Sequence, residues 1–144
     1  MSKLLKLISI SLLGLFLTSG AFAKTEVVYI PKNTGNPYFD SIIKGFEVGA
    51  EKYGYNFSTV APATADATSQ LPFIKAEIQR GVDVIAISPN SNDALNTVFD
   101  QAREKGIIVM VVNGDIPGSE DHRDVAIMPV DFSTQLIYSS AIIS

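Results

Sequence analysis

Apolar side chains recur along this chain in two rhythms, short unbroken runs and stripes spaced by three or four residues, and their alternation predicts strands interleaved with helices. Val27, Val28, Tyr29 and Ile30 form the first run, of the kind expected of a parallel strand covered on both faces, and Pro31 stops it. Asn36 then offers a side-chain acceptor to the orphan amides of a helix start, and Pro37 takes the first helical position, where its missing donor costs nothing. Phe39, Ile42, Ile43, Phe46, Ala50 and Tyr53 make one apolar stripe, and Gly54 supplies a left-handed stop. Tyr55 to Val60 alternates and is rich in aromatic and β-branched residues, which predicts a second strand ending at Ala61-Pro62. A second helix is expected from Thr68 to Arg80 on the stripe Leu71, Ile74 and Ile78, with Pro72 in its first turn and Gly81 closing it. Val82 to Ile87 predicts a third strand that ends at Ser88-Pro89. Asn92 or Asp93 is expected to cap a third helix, Ala94 to Lys105, whose Leu95, Val98, Phe99 and Ala102 face inward. Gly106 ends it. Ile107 to Val112 is the clearest central strand, and Val125-Ala126-Ile127 predicts a fifth.

Strands alternating with helices in this order imply an α/β fold, a doubly wound and mostly parallel sheet with right-handed crossovers. In such sheets ligands bind in the crevice beyond the carboxyl ends of the strands, near the point where strand order reverses. The loops that reach those ends carry Lys32, Asn33, Asn36, Tyr38, Phe39, Asn90, Asn92, Asp93, Asn113, Asp115 and Asp131. Carboxylates and amides of this kind satisfy adjacent hydroxyls that both donate and accept, while an aromatic ring covers the apolar face of a sugar. Each residue also has a plainer reading. Phe39 heads the apolar stripe and reads equally as core, whereas Tyr38 lies off it. Asn36 serves as helix cap and as ligand group at once. Turn-forming preference alone also places Asn113-Gly114-Asp115 after a strand, and Lys32 also reads as a solvated amine. Asp131 follows the least well-defined strand.

The amino terminus changes the picture of where the fold begins. Lys3 and Lys6, the eleven-residue apolar stretch Leu7 to Leu17 and the small-x-small site Ala21-Phe22-Ala23 together predict a secretory signal peptide over residues 1–23. A retained anchor is the alternative, but the apolar stretch is short for a membrane span. With no Cys in the sequence, neither a lipoprotein anchor nor a disulfide is available. Cleavage after Ala23 leaves 144 − 23 = 121 residues, enough for one domain with its own core, and loss of the two lysines takes the formal charge from −4 to −6. An acidic chain whose basic residues are scattered is not expected to bind nucleic acid, and nothing after Ala23 reads as transmembrane.

Catalytic readings find little support. His122 is the sole histidine and sits in the run Glu120-Asp121-His122-Arg123-Asp124, which reads as a solvated acidic loop. Asp115, Glu120 and Asp124 lack the spacing of a calcium loop, and the chain has neither a Walker sequence nor a G-x-G-x-x-G phosphate cradle, so no metal or cofactor is expected.

Asn36-Pro37-Tyr38-Phe39 at a helix start, Gly81-Val82-Asp83-Val84-Ile85 leading into Ser88-Pro89, and Gly106-Ile107 leading into Val112-Asn113 are the most specific pieces of the chain. In this order and spacing they resemble the N-terminal lobe of the ribose/galactose type of periplasmic sugar-binding protein, the soluble component of an ABC importer. Ile30-Pro31-Lys32 is most similar to the rhamnose-binding and autoinducer-2-binding branch. The resemblance implies roles residue by residue: Asn36 as a hydroxyl-binding group, Tyr38 and Phe39 as ring-stacking aromatics, Lys32 as a ligand-contacting amine. Asn113, Asp115 and Asp131 complete the set. Ribose binders place an Arg after the first strand-end position, where this chain has Gly114, so ribose itself fits poorly. The implied function is binding and delivery of a monosaccharide or related furanone ligand to ABC permease subunits in the periplasm, without catalysis or membrane insertion. Family members have two lobes joined by a hinge, and the first lobe is completed by segments returning from the second. Residues 24–131 are therefore expected to form the first lobe alone, truncated, with exposed edges and apolar patches, and residues 132–144 an atypical uncharged tail. A non-functional remnant of an interrupted gene is an alternative reading. A sugar-responsive regulator core is another, though a signal peptide stands where its DNA-binding helices would be.

Overall fold

The computed structural model describes residues 23–91, 93–114, 118 and 120–128. The signal-peptide stretch up to Phe22, Asn92, Asp115, Asp131 and the tail 132–144 lie outside the described residues. Five strands, β1 (Glu26–Ile30), β2 (Asn56–Thr59), β3 (Val84–Ile87), β4 (Ile108–Val112) and β5 (Val125–Ile127), alternate with α1 (Pro37–Tyr53), α2 (Leu71–Arg80) and α3 (Asn96–Glu104). All strand pairs are parallel, in the order β2-β1-β3-β4-β5. A 3₁₀ turn at Glu120–His122, which no apolar periodicity signals, precedes β5.

Strand pleating divides the core. Val28, Ile30, Ile85, Ile87, Val109 and Val111 face α2 and α3, where Ile74, Ile78, Leu95, Val98, Phe99 and Ala102 complete the larger cluster. Tyr29, Ala86 and Val112 face the opposite side, covered by Phe39, Ile42, Ile43 and Phe46 of α1. The helix starts and stops follow the local chemistry. Asn36 Oδ1 accepts from the Tyr38 backbone N–H at 3.1 Å, and Gly54 ends α1 in the left-handed region at φ 76°.

Three local expectations change. Tyr53, the last residue of α1, is 72% exposed, and its ring lies under the Lys52 amine at 4.9 Å. The second helix begins at Leu71, which leaves Pro72 in the first turn, and Thr68 belongs to a preceding turn. The third begins at Asn96, with no side chain at its cap; Ser91 Oγ accepts instead from the backbone N–H groups of Asp93 and Ala94. A hydroxyl reaching two or three residues forward holds this turn without the longer Asp side chain.

Candidate functional site

Strand order reverses between β1 and β3, so the loops leaving these two strands flank the topological switch point. They are spliced together by Gln70, which is fully buried just before α2. Its Nε2 donates to the carbonyls of Pro31 at 3.0 Å and Ser88 at 2.8 Å, and its Oε1 accepts from the backbone N–H of Asn90 at 2.9 Å. Asn90 Nδ2 in turn donates to the carbonyl of Lys32 at 2.8 Å and to Ser69 Oγ at 3.2 Å. Asn90 thus fixes the loop with its amide instead of presenting it to solvent.

Beneath this layer Ser88, fully buried, ties β1, β3 and β4. Its hydroxyl donates to the carbonyl of Val112 at 2.9 Å, so the 2.8 Å contact with Tyr29 is donated by the phenol. Burial pushes the Tyr29 phenol up from 10.0 to about 12, and nearby Tyr38 adds to the rise. Ser88 gives strand ends that diverge at the crevice a common floor.

Above the floor the site residues gather from two elements. Tyr38, in the first turn of α1, is 52% exposed and donates its hydroxyl to Asn113 Oδ1 at 2.5 Å, at the end of β4. Asn113 adopts φ 58°, a left-handed conformation that Asn tolerates better than most side chains, and its backbone N–H reaches the Ile127 carbonyl at 2.9 Å. Asn113 Oδ1 is thus engaged by Tyr38. Phe39 packs edge-on against Tyr38, with ring centroids 5.3 Å apart, and is 4% exposed, so the core reading describes its ring. Lys32 is half-buried beside the β1 end. Asn36, Tyr38, Phe39 and Asn113 are therefore brought together, and Lys32 is anchored nearby through its carbonyl. A cavity of about 250 Å³ opens beside the same loop, lined among others by Asn33, Asn36, Asp40 and Thr59.

Three polar groups were not foreseen at this end of the sheet: Tyr29, Gln70 and Ser88. Gln70 carries a readable signal, since it lies four residues before Ile74 on the buried side of the second helix. His122 also differs from its expected place in a solvated loop. It is half-buried and its Nδ1 meets both oxygens of Asp100, at 2.8 and 2.9 Å. Asp124 accepts from Arg103 Nε at 3.0 Å and from the Val109 backbone N–H at 2.9 Å, which makes this end of the run a brace for β5. Among the described residues no group of three metal-ligating side chains comes together, and no helix is long and apolar enough to cross a membrane.

Residues 27–135 match the periplasmic binding protein domain family. The D-allose-binding periplasmic protein of Escherichia coli (strain K12) is 32% identical over 111 residues, 76% of this chain and 36% of the relative. Among solved structures, LsrB of Clostridium saccharobutylicum in complex with AI-2 superposes with a TM-score of 0.65 at 29% identity, over 71% of this chain and 31% of that one. An ABC transporter solute-binding protein of Clostridium phytofermentas with bound L-rhamnose gives a TM-score of 0.71 at 28% identity, over 82% and 37%. The first curated relatives are matched over 36 to 38% of their own length.

Proposed function

We propose, from the premise that this chain belongs to the periplasmic binding protein domain family, that it is one jaw of a substrate-binding component of an ABC-type sugar importer. The observation that carries this reading is the convergence of Asn36, Tyr38 and Asn113 at the strand ends, joined by the 2.5 Å bond from Tyr38 to Asn113. On this reading residues 1–23 direct export to the periplasm, residues 24–131 form the ligand-binding lobe, and permease subunits in the membrane receive the ligand. The ligand is a monosaccharide or a related small polyol or furanone. Tyr38 covers its apolar face, Asn36 and Asn113 bond its hydroxyls, and Lys32, Asp115 and Asp131 complete the polar rim. Phe39 backs the Tyr38 ring from the core.

A single jaw makes only part of the contacts. If a closed clamp binds at about 1 μM, or about 8 kcal/mol, half of that energy leaves an affinity of about 1 mM. The test is a titration of the isotope-labelled chain with D-allose, L-rhamnose, D-arabinose and D-ribose, followed by amide chemical shifts. Millimolar binding is expected, with shifts at Lys32, Asn36, Tyr38 and Asn113. Shifts confined to other surfaces, or none with any sugar, would overturn the site. Micromolar affinity would overturn the half-clamp.

A further inference from the structure

The cavity of about 250 Å³ beside the β1–α1 loop lies on the β2 side of that loop, away from the switch point between β1 and β3. Its far wall is the end of β2 and the residues after it, Thr59, Val60 and Ala61. Asn36 and Phe39 are walls that it shares with the candidate site, whereas Tyr38 and Asn113 do not line it. Sheet order keeps the two apart, because β2 flanks β1 on one side and Asn113 follows β4, two strands away on the other.

The hydrogen bonds made around this cavity use up donors. Thr59 gives its one hydroxyl proton to the Tyr29 carbonyl at 3.1 Å, which leaves that oxygen only lone pairs. The Thr34 N–H goes to the Pro62 carbonyl at 2.9 Å, the Tyr38 N–H to Asn36 Oδ1 at 3.1 Å and the Phe39 N–H to the Asn36 carbonyl at 3.0 Å. The first amides of α1 are thus capped from within and do not invite an anion. Asp40 stands one position past the place from which an acidic side chain closes a capping box, and it forms no ion pair among the described residues. No basic side chain lines the cavity, and Phe39, Ile43 and Val60 give it an apolar floor.

We propose that this cavity binds a small primary ammonium ion carrying a short aliphatic chain. Asp40 supplies the counter-charge, the Thr59 oxygen a further acceptor, and the floor of Phe39, Ile43 and Val60 takes the chain. A primary ammonium brings three donors and no acceptor, which complements walls whose donors are committed elsewhere. A carboxylate or phosphate would be repelled by Asp40, and a neutral hydroxyl would leave that charge uncompensated. The formal net charge of −4 draws cations toward the chain as a whole. The site does not depend on what the neighbouring crevice binds.

The test is a titration of the isotope-labelled chain with n-butylammonium chloride at fixed ionic strength, followed by amide chemical shifts, with n-butanol and sodium butyrate as controls of similar shape. Saturable shifts are expected at Asn33, Gly35, Asp40 and Thr59, with a Kd of about 5 mM for a ligand of so few atoms. Binding of n-butanol should be weaker by about tenfold or more, and butyrate should not bind. Asp40 is exposed, so Asp40→Asn leaves the fold intact and should weaken n-butylammonium about tenfold. Glu47→Gln makes the same charge change on the solvent side of α1, where Glu47 pairs with Lys44, and should leave the affinity unchanged. Equal binding of n-butanol, an unchanged affinity in Asp40→Asn, an equal loss in Glu47→Gln, or no saturable shift each overturns the inference. Shifts centred on Tyr38 and Asn113 also overturn it, and assign the amine to the crevice.

Discussion

Replacing Gln70 by Met isolates the hydrogen bonds that hold the floor of the crevice. Methionine keeps most of the volume of the side chain, so the change removes three hydrogen bonds, at 3.0, 2.8 and 2.9 Å, with little cavity. It strands the carbonyls of Pro31 and Ser88 in a fully buried setting, whereas the Asn90 N–H lies in a half-buried loop that water can reach. A buried group left unpaired costs about 1–3 kcal/mol, so two such groups predict a loss of about 3 kcal/mol, a large share of the ~5–15 kcal/mol typical of a domain. With a urea slope of about 2 kcal/mol/M the unfolding midpoint should fall by about 1.5 M, and amide exchange should accelerate first in the loops after β1 and β3. Gln70→Glu adds a second arm. A carboxylate set against two carbonyl oxygens is repelled, so its folded pKa rises above the unfolded value; its stability should therefore be greatest at low pH and fall as pH rises through the unfolded pKa toward the folded one. A Gln70→Met midpoint within about 0.2 M of the parent, which is less than ~0.5 kcal/mol, would refute the argument that this amide holds the loops.

Two further outcomes follow from the same end of the sheet. Burial pushes Tyr29 from 10.0 up to about 12, so the folded state retains its proton where the unfolded state has lost it. That contribution is fully present below pH 10 and is lost on rising to pH 12, about 3 kcal/mol in all, and denaturant midpoints measured across this window should lose that slope in Tyr29→Phe. The left-handed backbone at Asn113 predicts that Asn113→Gly stays within about 0.5 kcal/mol of the parent while the β-branched Asn113→Val costs about 2 kcal/mol. Equal costs by thermal unfolding would show that the conformation at φ 58° is immaterial.

The fold was legible because each element carries its own boundary chemistry. Val27 to Ile30, Ile107 to Val112 and the glycines at 54 and 81 each specify an element without help from the rest, and all appear within a residue or two of the expected limits. Where the reading slipped, a distant partner or the edge of the sheet decided. Tyr53 obeys the α1 period but stands exposed at the helix end, and the third helix starts late because Ser91 organises the turn. The turn around His122 is held by Asp100 and Arg103 on α3, contacts that no local pattern announces.

The sequence nominates residues for the rim of the candidate site and none for its floor, and the difference is physical. Rim residues occupy loops at strand ends, where side-chain chemistry alone nominates them. Floor residues are polar groups inside the core, and a sequence records such a group only as an interruption in an apolar stripe; what satisfies Gln70 are backbone atoms 18, 20 and 39 positions away. Yet the floor sets the precision of the rim. Tyr38 and Asn113 come from segments 75 residues apart and meet at 2.5 Å, and the strand ends from which the crevice rises are pinned through Ser88 to Tyr29 and Val112. On the proposed reading, a jaw whose donors and acceptors are already fixed would spend little ordering entropy when a ligand arrives, which is why the titration is expected to find millimolar binding.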